Sequence, residues 1–184
     1  MQISLEERSR LEALDEGLRS ENAREQIRPI IERVHAGLAR KRKALMTWEP
    51  VPLQVFGGAL PAEIKSAWVF VLRAGVDTGW ERHPNSHQRM MTFAGGGDMQ
   101  TGEPARWQSN VLVSDLKAPL ERRWISIPPN SWHRPVVGED ADWVVVSFHT
   151  LPAEELIEEK PDETSTGGTK QMKYLEKKKE LRSS

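Results

Sequence analysis

The sequence predicts a mainly β protein: one small jelly-roll-like β-barrel with a helical extension at the N-terminus and a disordered tail at the C-terminus. Short β-branched or aromatic runs such as SAWVFVLR and DWVVVSFH, separated by Gly, Pro, Asn and Asp, predict the barrel. Apolar residues at helical spacing predict the extension, and a polar, Lys/Glu-rich end predicts the tail. These patterns divide the chain into residues 1–47, 48–158 and 159–184.

The composition restricts the classes of function that the chain can have. Its 184 residues suffice for one domain with a sizeable core and an appendage. It contains no cysteine, which excludes disulfides, thiolate metal sites and a cysteine nucleophile, so a metal would need nitrogen and oxygen ligands. The net charge of −1 predicts binding to neither nucleic acid nor a membrane surface. Because the start resembles no signal peptide, we expect a cytoplasmic protein.

Two amphipathic helices account for the N-terminal extension. We expect a break around residues 20–22, with Pro29 in the first turn of the second helix. Each helix has one apolar stripe, which must pack against the barrel, the other helix or a second subunit. A homodimer is expected on this ground. The stripes consist of Leu11, Leu14 and Leu18 in the first helix and of Ile27, Ile31, Val34 and Leu38 in the second.

Two polar segments of the predicted barrel carry the residues capable of chemistry. In residues 79–88, Glu81 and His83 are two positions apart and therefore face the same side of a strand. A turn at Pro84 and Asn85 then directs either His87 or Gln88 inward, according to the register. In residues 127–133, a Pro-Pro-Asn turn leads to His133 on the opposite wall. Two imidazoles and one carboxylate can bind a divalent first-row metal with positions left open for substrate or water.

The first of these segments resembles the first motif of the cupin superfamily, G-x5-H-x-H-x3,4-E-x6-G. His83 matches the second histidine of that motif, Gln88 the glutamate and Gly95 the closing glycine. Glu81 occupies the position of the first histidine. The resemblance implies a cupin-type barrel of the RmlC-like kind, with a redistributed charge among its ligands.

The second segment resembles the second cupin motif, P-x-G-x2-H. His133 follows Pro128 by five residues, as in the motif, and Asn130 takes the turn position of the glycine. Asn is the residue that best tolerates a left-handed conformation after Gly. The resemblance therefore implies Glu81, His83 and His133 as metal ligands, with iron, manganese, nickel and zinc all compatible.

A narrower, distant similarity links the chain to the cysteine dioxygenase branch of the cupins, which carries an H-x-H-x-x-S-H-C segment and an S-x-H-x-Y strand. In this chain Glu81 replaces the first ligand, Gln88 the crosslinking cysteine and Leu151 the tyrosine. These replacements argue against thiol dioxygenation. The residues that carry the similarity are Glu81, His83, Ser86, His87, Gln88, His133, Ser147, Phe148 and His149.

The function that these residues favour is a metal-dependent small-molecule enzyme of the dioxygenase or isomerase kind, with Gln88 as a catalytic residue that positions the substrate. The alternative is a non-catalytic ligand-binding or sensing protein whose N-terminal helices mediate oligomerisation or partner binding. A metal-free barrel is also open, with Glu81 paired to Arg82 or to another arginine at the barrel rim and with both motif histidines hydrogen-bonded.

Several further side chains have two interpretations. If Gln88 points inward, His87 points outward, and His149 is interpreted as a hydrogen-bonded core histidine. Trp80 and Trp132 flank the motifs and could line a ligand pocket. Arg89 and Arg134 could meet an anionic substrate, although a surface ion pair is the commoner role. Core positions are expected for Trp68, Trp124 and Trp143.

Overall fold

A computed structural model describes residues 3–58, 60–103, 106–162 and 168–175. It is mainly β, with antiparallel sheets and an N-terminal helical part. The helices are α1 (Leu5–Arg19), α2 (Glu21–Arg40) and α3 (Leu120–Arg123). The strands are β1 (Met46–Val51), β2 (Ser66–Leu72), β3 (Gln88–Ala94), β4 (Gly96–Glu103), β5 (Arg106–Gln108), β6 (Val111–Val113), β7 (Trp124–Ile127), β8 (His133–Val137), β9 (Trp143–His149), β10 (Ile157–Pro161) and β11 (Thr169–Lys173).

Ser20 separates the two N-terminal helices, where the break was predicted. Its backbone ends α1, and its hydroxyl accepts a hydrogen bond from the backbone N–H of Ala23 in the first turn of α2. The position predicted for Pro29 is wrong, because α2 already begins at Glu21 and Pro29 lies inside the helix. The serine cap starts the helix two turns earlier than the proline signal suggested. Among the described residues, no helix is both long and apolar enough to cross a membrane.

The apolar stripes of α1 and α2 pack against the chain's own five-stranded sheet. This sheet has the strand order β1-β2-β9-β3-β7, and all its neighbouring strands are antiparallel. Leu11, Leu14 and Leu18 are almost fully buried and join one hydrophobic cluster with Val69 and Val146 from the sheet. The helices therefore cover the outer face of the sheet.

The opposite face of the same sheet forms the interior of the barrel. Trp68 and Phe70 of β2 alternate with the outward Val69, and they pack with Met99 and Leu112 of a second sheet. In that sheet β4 pairs with β5, β6 and β8. Because both faces of the first sheet are buried, its central strands read as continuous apolar runs in the sequence.

A tight glycine connection joins the two sheets between β3 and β4. Gly95 has a φ of +70°, a region that side-chain-bearing residues rarely adopt. A Cβ atom at Gly97 would lie only 2.3 Å from the indole ring of Trp143. The absence of a side chain at Gly97 thus allows the buried Trp143 to pack directly against β4.

The C-terminal part of the chain differs from the predicted disordered tail where the structure describes it. Strands β10 and β11 pair as an antiparallel ribbon, and the backbone of Glu159 exchanges two hydrogen bonds with Arg82. Tyr174 follows the ribbon and is 2% exposed, with its ring centroid 5.3 Å from that of Trp68. The ribbon thereby pairs with the rest of the barrel at Arg82. Residues 163–167 and 176–184 of the predicted tail lie outside the described residues.

Candidate metal centre

Backbone pairing brings the two motif segments together inside the barrel. Glu81 and His133 exchange both backbone hydrogen bonds, each with an N···O distance of 2.9 Å. His83 lies two residues further along the same extended segment and therefore faces the same side. The predicted left-handed turn is confirmed, since Asn130 has a φ of +65° and its N–H donates to the carbonyl of His83 at 2.9 Å.

The three predicted ligands converge in the structure. One ligand atom each of Glu81, His83 and His133 lies within 4.8 Å of the other two. His83 and His133 are 3% and 1% exposed, and Glu81 is half-buried. Nε2 of His133 lies 3.8 Å from Oε1 of Glu81. This arrangement has the residue types and the convergence of a two-histidine, one-carboxylate site.

Hydrogen bonds to the backbone fix the orientation of both imidazoles. Nδ1 of His83 lies 3.0 Å from the carbonyl oxygen of Ile157, and Nδ1 of His133 lies 3.1 Å from that of Ser131. A carbonyl only accepts, so Nδ1 carries the proton in each ring and Nε2 has the lone pair. Metal-binding histidines use their second nitrogen in this way.

The Nε2 atom of His133 is buried and has no hydrogen-bond partner among the described residues. Burial, together with the nearby His83, lowers the pKa of His133 to about 4, so its ring is neutral at physiological pH. A neutral imidazole with an available lone pair is the form that binds a metal.

Gln88 points into the barrel and His87 points out. Of the two registers left open by the sequence, the structure has the one with Gln88 inward. The side-chain amide of Gln88 donates to Oγ of Ser147 at 3.1 Å, and its Oε1 is buried without a partner in the described part of the chain. His87 lies on the helix side, where its Nε2 is 2.7 Å from Oγ of Ser126. Its pKa is lowered, first by burial and then by Arg89.

His149 is fully buried and is held by hydroxyl groups, as expected for a core histidine. Its Nδ1 lies 3.5 Å from Oγ of Ser86 and its Nε2 lies 3.2 Å from Oγ of Ser147. Burial lowers its pKa well below the ordinary value. His149 therefore differs from His133 in that both of its ring nitrogens face hydrogen-bonding groups.

Three residues of the C-terminal segment, absent from the sequence-based site, lie at this centre. Glu158 is completely buried, and Nζ of Lys160 lies 3.4 Å from Oε2 of Glu81. Burial lowers the pKa of Lys160, but Glu81 and Glu158 outweigh it and raise the pKa overall. The ring centroid of Tyr174 lies 5.8 Å from that of His83. Burial and then the two carboxylates raise the pKa of this phenol well above 10.0, so it stays protonated.

The pairing of Glu81 with Arg82, which is one form of the metal-free alternative, is wrong. Arg82 does not pair with Glu81. Its guanidinium binds Glu159, and Glu81 pairs with Lys160. Residues adjacent on a strand face opposite sides, which separates Arg82 from the centre.

The tryptophans that flank the motifs also face away from the centre. Trp80 packs edge-on against Trp107 and Trp132, each at a centroid distance of 5.8 Å. Trp132 borders an outer groove of about 420 Å³ with Arg82 and Arg106. The predicted core positions are confirmed, because Trp68, Trp124 and Trp143 are at most 1% exposed.

The two arginines that follow the motif residues form ion pairs within the chain. Arg89 is 3% exposed, and its guanidinium donates to both carboxylate oxygens of Glu7 at 2.6 and 2.8 Å. Arg134 lies 3.2 Å from Asp77 near the surface.

A second cavity, of about 340 Å³, lies beside His87 and Glu7 on the helix side, and the three candidate ligands do not line it.

Comparison with known proteins finds only distant structural similarity. No family model and no curated protein matches the chain. Solved structures that align include the capsular polysaccharide assembling protein CapF from Staphylococcus aureus, at 15% identity and a TM-score of 0.40 over 47% of this chain and 22% of that one. Lactobacillus farciminis oxalate decarboxylase, in its formate complex, aligns at 14% identity and a TM-score of 0.45 over 59% and 29%. KdgF from a Halomonas species aligns at 12% identity and a TM-score of 0.43 over 59% and 83%.

These three proteins have cupin folds. The chain's own two antiparallel sheets enclose a shared interior, which agrees with the small barrel that the sequence predicts. The alignments cover less than a third of the CapF and oxalate decarboxylase chains. They indicate no specific family within the cupins.

Proposed function

We propose that the chain is a metal-dependent enzyme acting on a small molecule, with Glu81, His83 and His133 as the metal ligands. One observation carries the proposal: Nε2 of His133 is buried without a hydrogen-bond partner, while Nδ1 of the same ring is fixed by a backbone carbonyl. Burying an unpartnered polar atom destabilises a protein, so such an atom calls for a partner or a functional explanation. A metal ion would supply the missing partner.

The donor set suits a divalent ion of iron, manganese, nickel or zinc. Two neutral imidazoles and one carboxylate leave coordination positions open, and a metal bound there supplies Lewis-acid or oxygen-activating chemistry. The chain's own residues would orient the substrate. Two observations support this role for Gln88: its side-chain amide donates one hydrogen bond to Ser147, and its Oε1 has no partner among the described residues.

Metal titration of the purified full chain tests the proposal. We expect one divalent ion per chain in the wild type, at least a ~100-fold weaker affinity after His133→Ala, and an affinity within ~3-fold of wild type after His87→Gln, which alters the outer side of the same sheet. Binding of nitric oxide to the Fe²⁺-loaded chain would then report an open position. Equal metal binding by wild type and His133→Ala would contradict the ligand assignment.

The non-catalytic alternative loses one of its supports. The apolar stripes that motivated an oligomerisation role for the helices are buried against the chain's own sheet. A homodimer remains a proposal, and size-exclusion chromatography with light scattering would test it. A ligand that raises Tm without being consumed would favour binding over catalysis.

A further inference from the structure

Strand β10 places a lysine between two carboxylates at the edge of the candidate centre. Nζ of Lys160 lies 3.4 Å from Oε2 of Glu81 and 3.6 Å from Oε1 of Glu158. The other oxygen of Glu81, Oε1, lies 3.8 Å from Nε2 of His133. Glu81 thus faces the ammonium with one oxygen and an imidazole with the other.

The ribbon holds this lysine firmly in register. Glu159 exchanges two backbone hydrogen bonds with Arg82, next to Glu81, and its carboxylate binds the guanidinium of the same arginine. The carbonyl of Ile157 accepts from His83. Alternation along the strand then directs both Glu158 and Lys160 toward the centre, since they are two residues apart.

We propose that Lys160 is an internal counter-cation of the metal centre, which lowers the affinity of the centre for a divalent ion and leaves Glu81 only Oε1 for the metal. The inference rests on the function proposed above and concerns the regulation of metal affinity at the same site. In the metal-free chain, the ammonium balances part of the charge of the two carboxylates.

The sign of the effect follows from electrostatics. A positive charge a few ångströms from a bound divalent ion repels it, and at the effective dielectric of a partly buried site the repulsion corresponds to at least ~10-fold in affinity. Lys160 also competes with the metal for Glu81. Removal of the ammonium would therefore tighten metal binding.

A purely positioning role predicts the opposite sign. Groups that hold a metal ligand in place typically contribute ~10- to 100-fold to metal affinity, so that their removal weakens binding. The direction of the change on substitution thus separates a counter-cation from a positioning residue.

Titrations of the full chain with Zn²⁺ and with Mn²⁺ test the inference. We expect Lys160→Met to bind each ion at least ~10-fold more tightly than wild type, and Lys160→Arg, which keeps the charge, to stay within ~3-fold. The matched control is Lys170→Met: Lys170 is the cross-strand partner of Lys160 on β11 and is exposed to solvent. Its substitution should leave both affinities unchanged.

A second pair of variants covers the case in which Lys160→Met does not fold. Glu158→Gln removes one of the two carboxylates near the ammonium of Lys160, so that Glu81 alone faces its charge. Metal binding should then weaken at least ~10-fold. The double variant Glu158→Gln/Lys160→Met restores the net charge of the site, and its affinity should return to within ~3-fold of wild type.

The outcomes separate this inference from the proposed function. Unchanged or weaker binding by Lys160→Met, with a wild type that binds metal, overturns the counter-cation and leaves the metal centre intact. If Lys160→Met does not fold, an unchanged metal affinity of Glu158→Gln overturns the counter-cation as well. Binding by Lys160→Met but not by wild type supports the counter-cation and contradicts the proposed function. If no variant binds either ion, both are wrong.

Discussion

The interior of the barrel contains two histidine environments that differ in their partners rather than in their burial. His149 and His133 are 0% and 1% exposed, and His83 lies between them, with ring centroids at 5.0 and 5.5 Å. Serine hydroxyls face both nitrogens of His149. His133 has a backbone carbonyl at Nδ1 and, among the described residues, no hydrogen-bond partner at Nε2. The unpartnered nitrogen, and not depth in the core, distinguishes the candidate ligand from the structural histidine.

Acid should destabilise the metal-free chain through both histidines. The folded-state pKa of His133 is lowered from 6.5 to about 4, so between these pH values the unfolded chain binds a proton that the folded chain does not. The neutral imidazole of His133 makes its full contribution to the free energy of unfolding above pH 6.5. This contribution is lost as the pH falls, and the loss amounts to about 3 kcal/mol by pH 4. Urea unfolding at several pH values in the presence of a chelator measures this loss.

The variants His133→Gln and His149→Gln divide that pH dependence between the two environments. Each should reduce the slope of unfolding free energy against pH below 6.5, because each removes one buried neutral imidazole. A slope that neither variant changes would show that other groups control acid unfolding.

Substitution of the structural histidine should reduce stability without loss of metal. In His149→Leu the hydroxyls of Ser86 and Ser147 lose their imidazole partner, which should cost about 2 kcal/mol of unfolding free energy. Thermal and urea unfolding measure the change. Metal content should remain at the wild-type level, and its loss here would argue that His149 belongs to the ligand set.

Gln88 should have the smallest effect of the three sites. Gln88→Leu removes one hydrogen bond to Ser147 and should lower the free energy of unfolding by about 1 kcal/mol. Metal affinity should change less than ~10-fold, because the amide lies outside the ligand set. A larger loss of metal, measured in the same titration, would make Gln88 a ligand.

The sequence predicted the part of the site that follows from local rules. Alternation along a strand placed Glu81 and His83 on one side and left either His87 or Gln88 inward. The motif spacing favoured Gln88 and added His133, and the structure brings His133 to Glu81 and His83 and points Gln88 inward. Trp80 and Trp132 directly precede Glu81 and His133. The same alternation therefore directs both tryptophans away from the centre, although they are adjacent to its ligands in sequence.

The remaining part depends on tertiary contacts that composition conceals. Residues 157–161 are polar, and their sequence gave no apolar pattern from which to predict a buried strand. The ammonium of Lys160 pairs with the carboxylates of Glu81 and Glu158. Tyr174 is buried among aromatic rings that include Trp48 and Trp68. Such mutual dependence is not visible in any single segment. Tyr174, the single tyrosine of the chain, was the one sequence feature that could have indicated a buried segment here.

The most direct test of the central claim is a paired measurement of bound metal in His133→Ala and His149→Gln, each dialysed against Zn²⁺ and assayed by elemental analysis beside the wild type. Both substitutions remove a buried imidazole close to His83. We expect about one ion per chain in wild type and in His149→Gln, and almost none in His133→Ala. Equal metal content in the two variants would contradict the account.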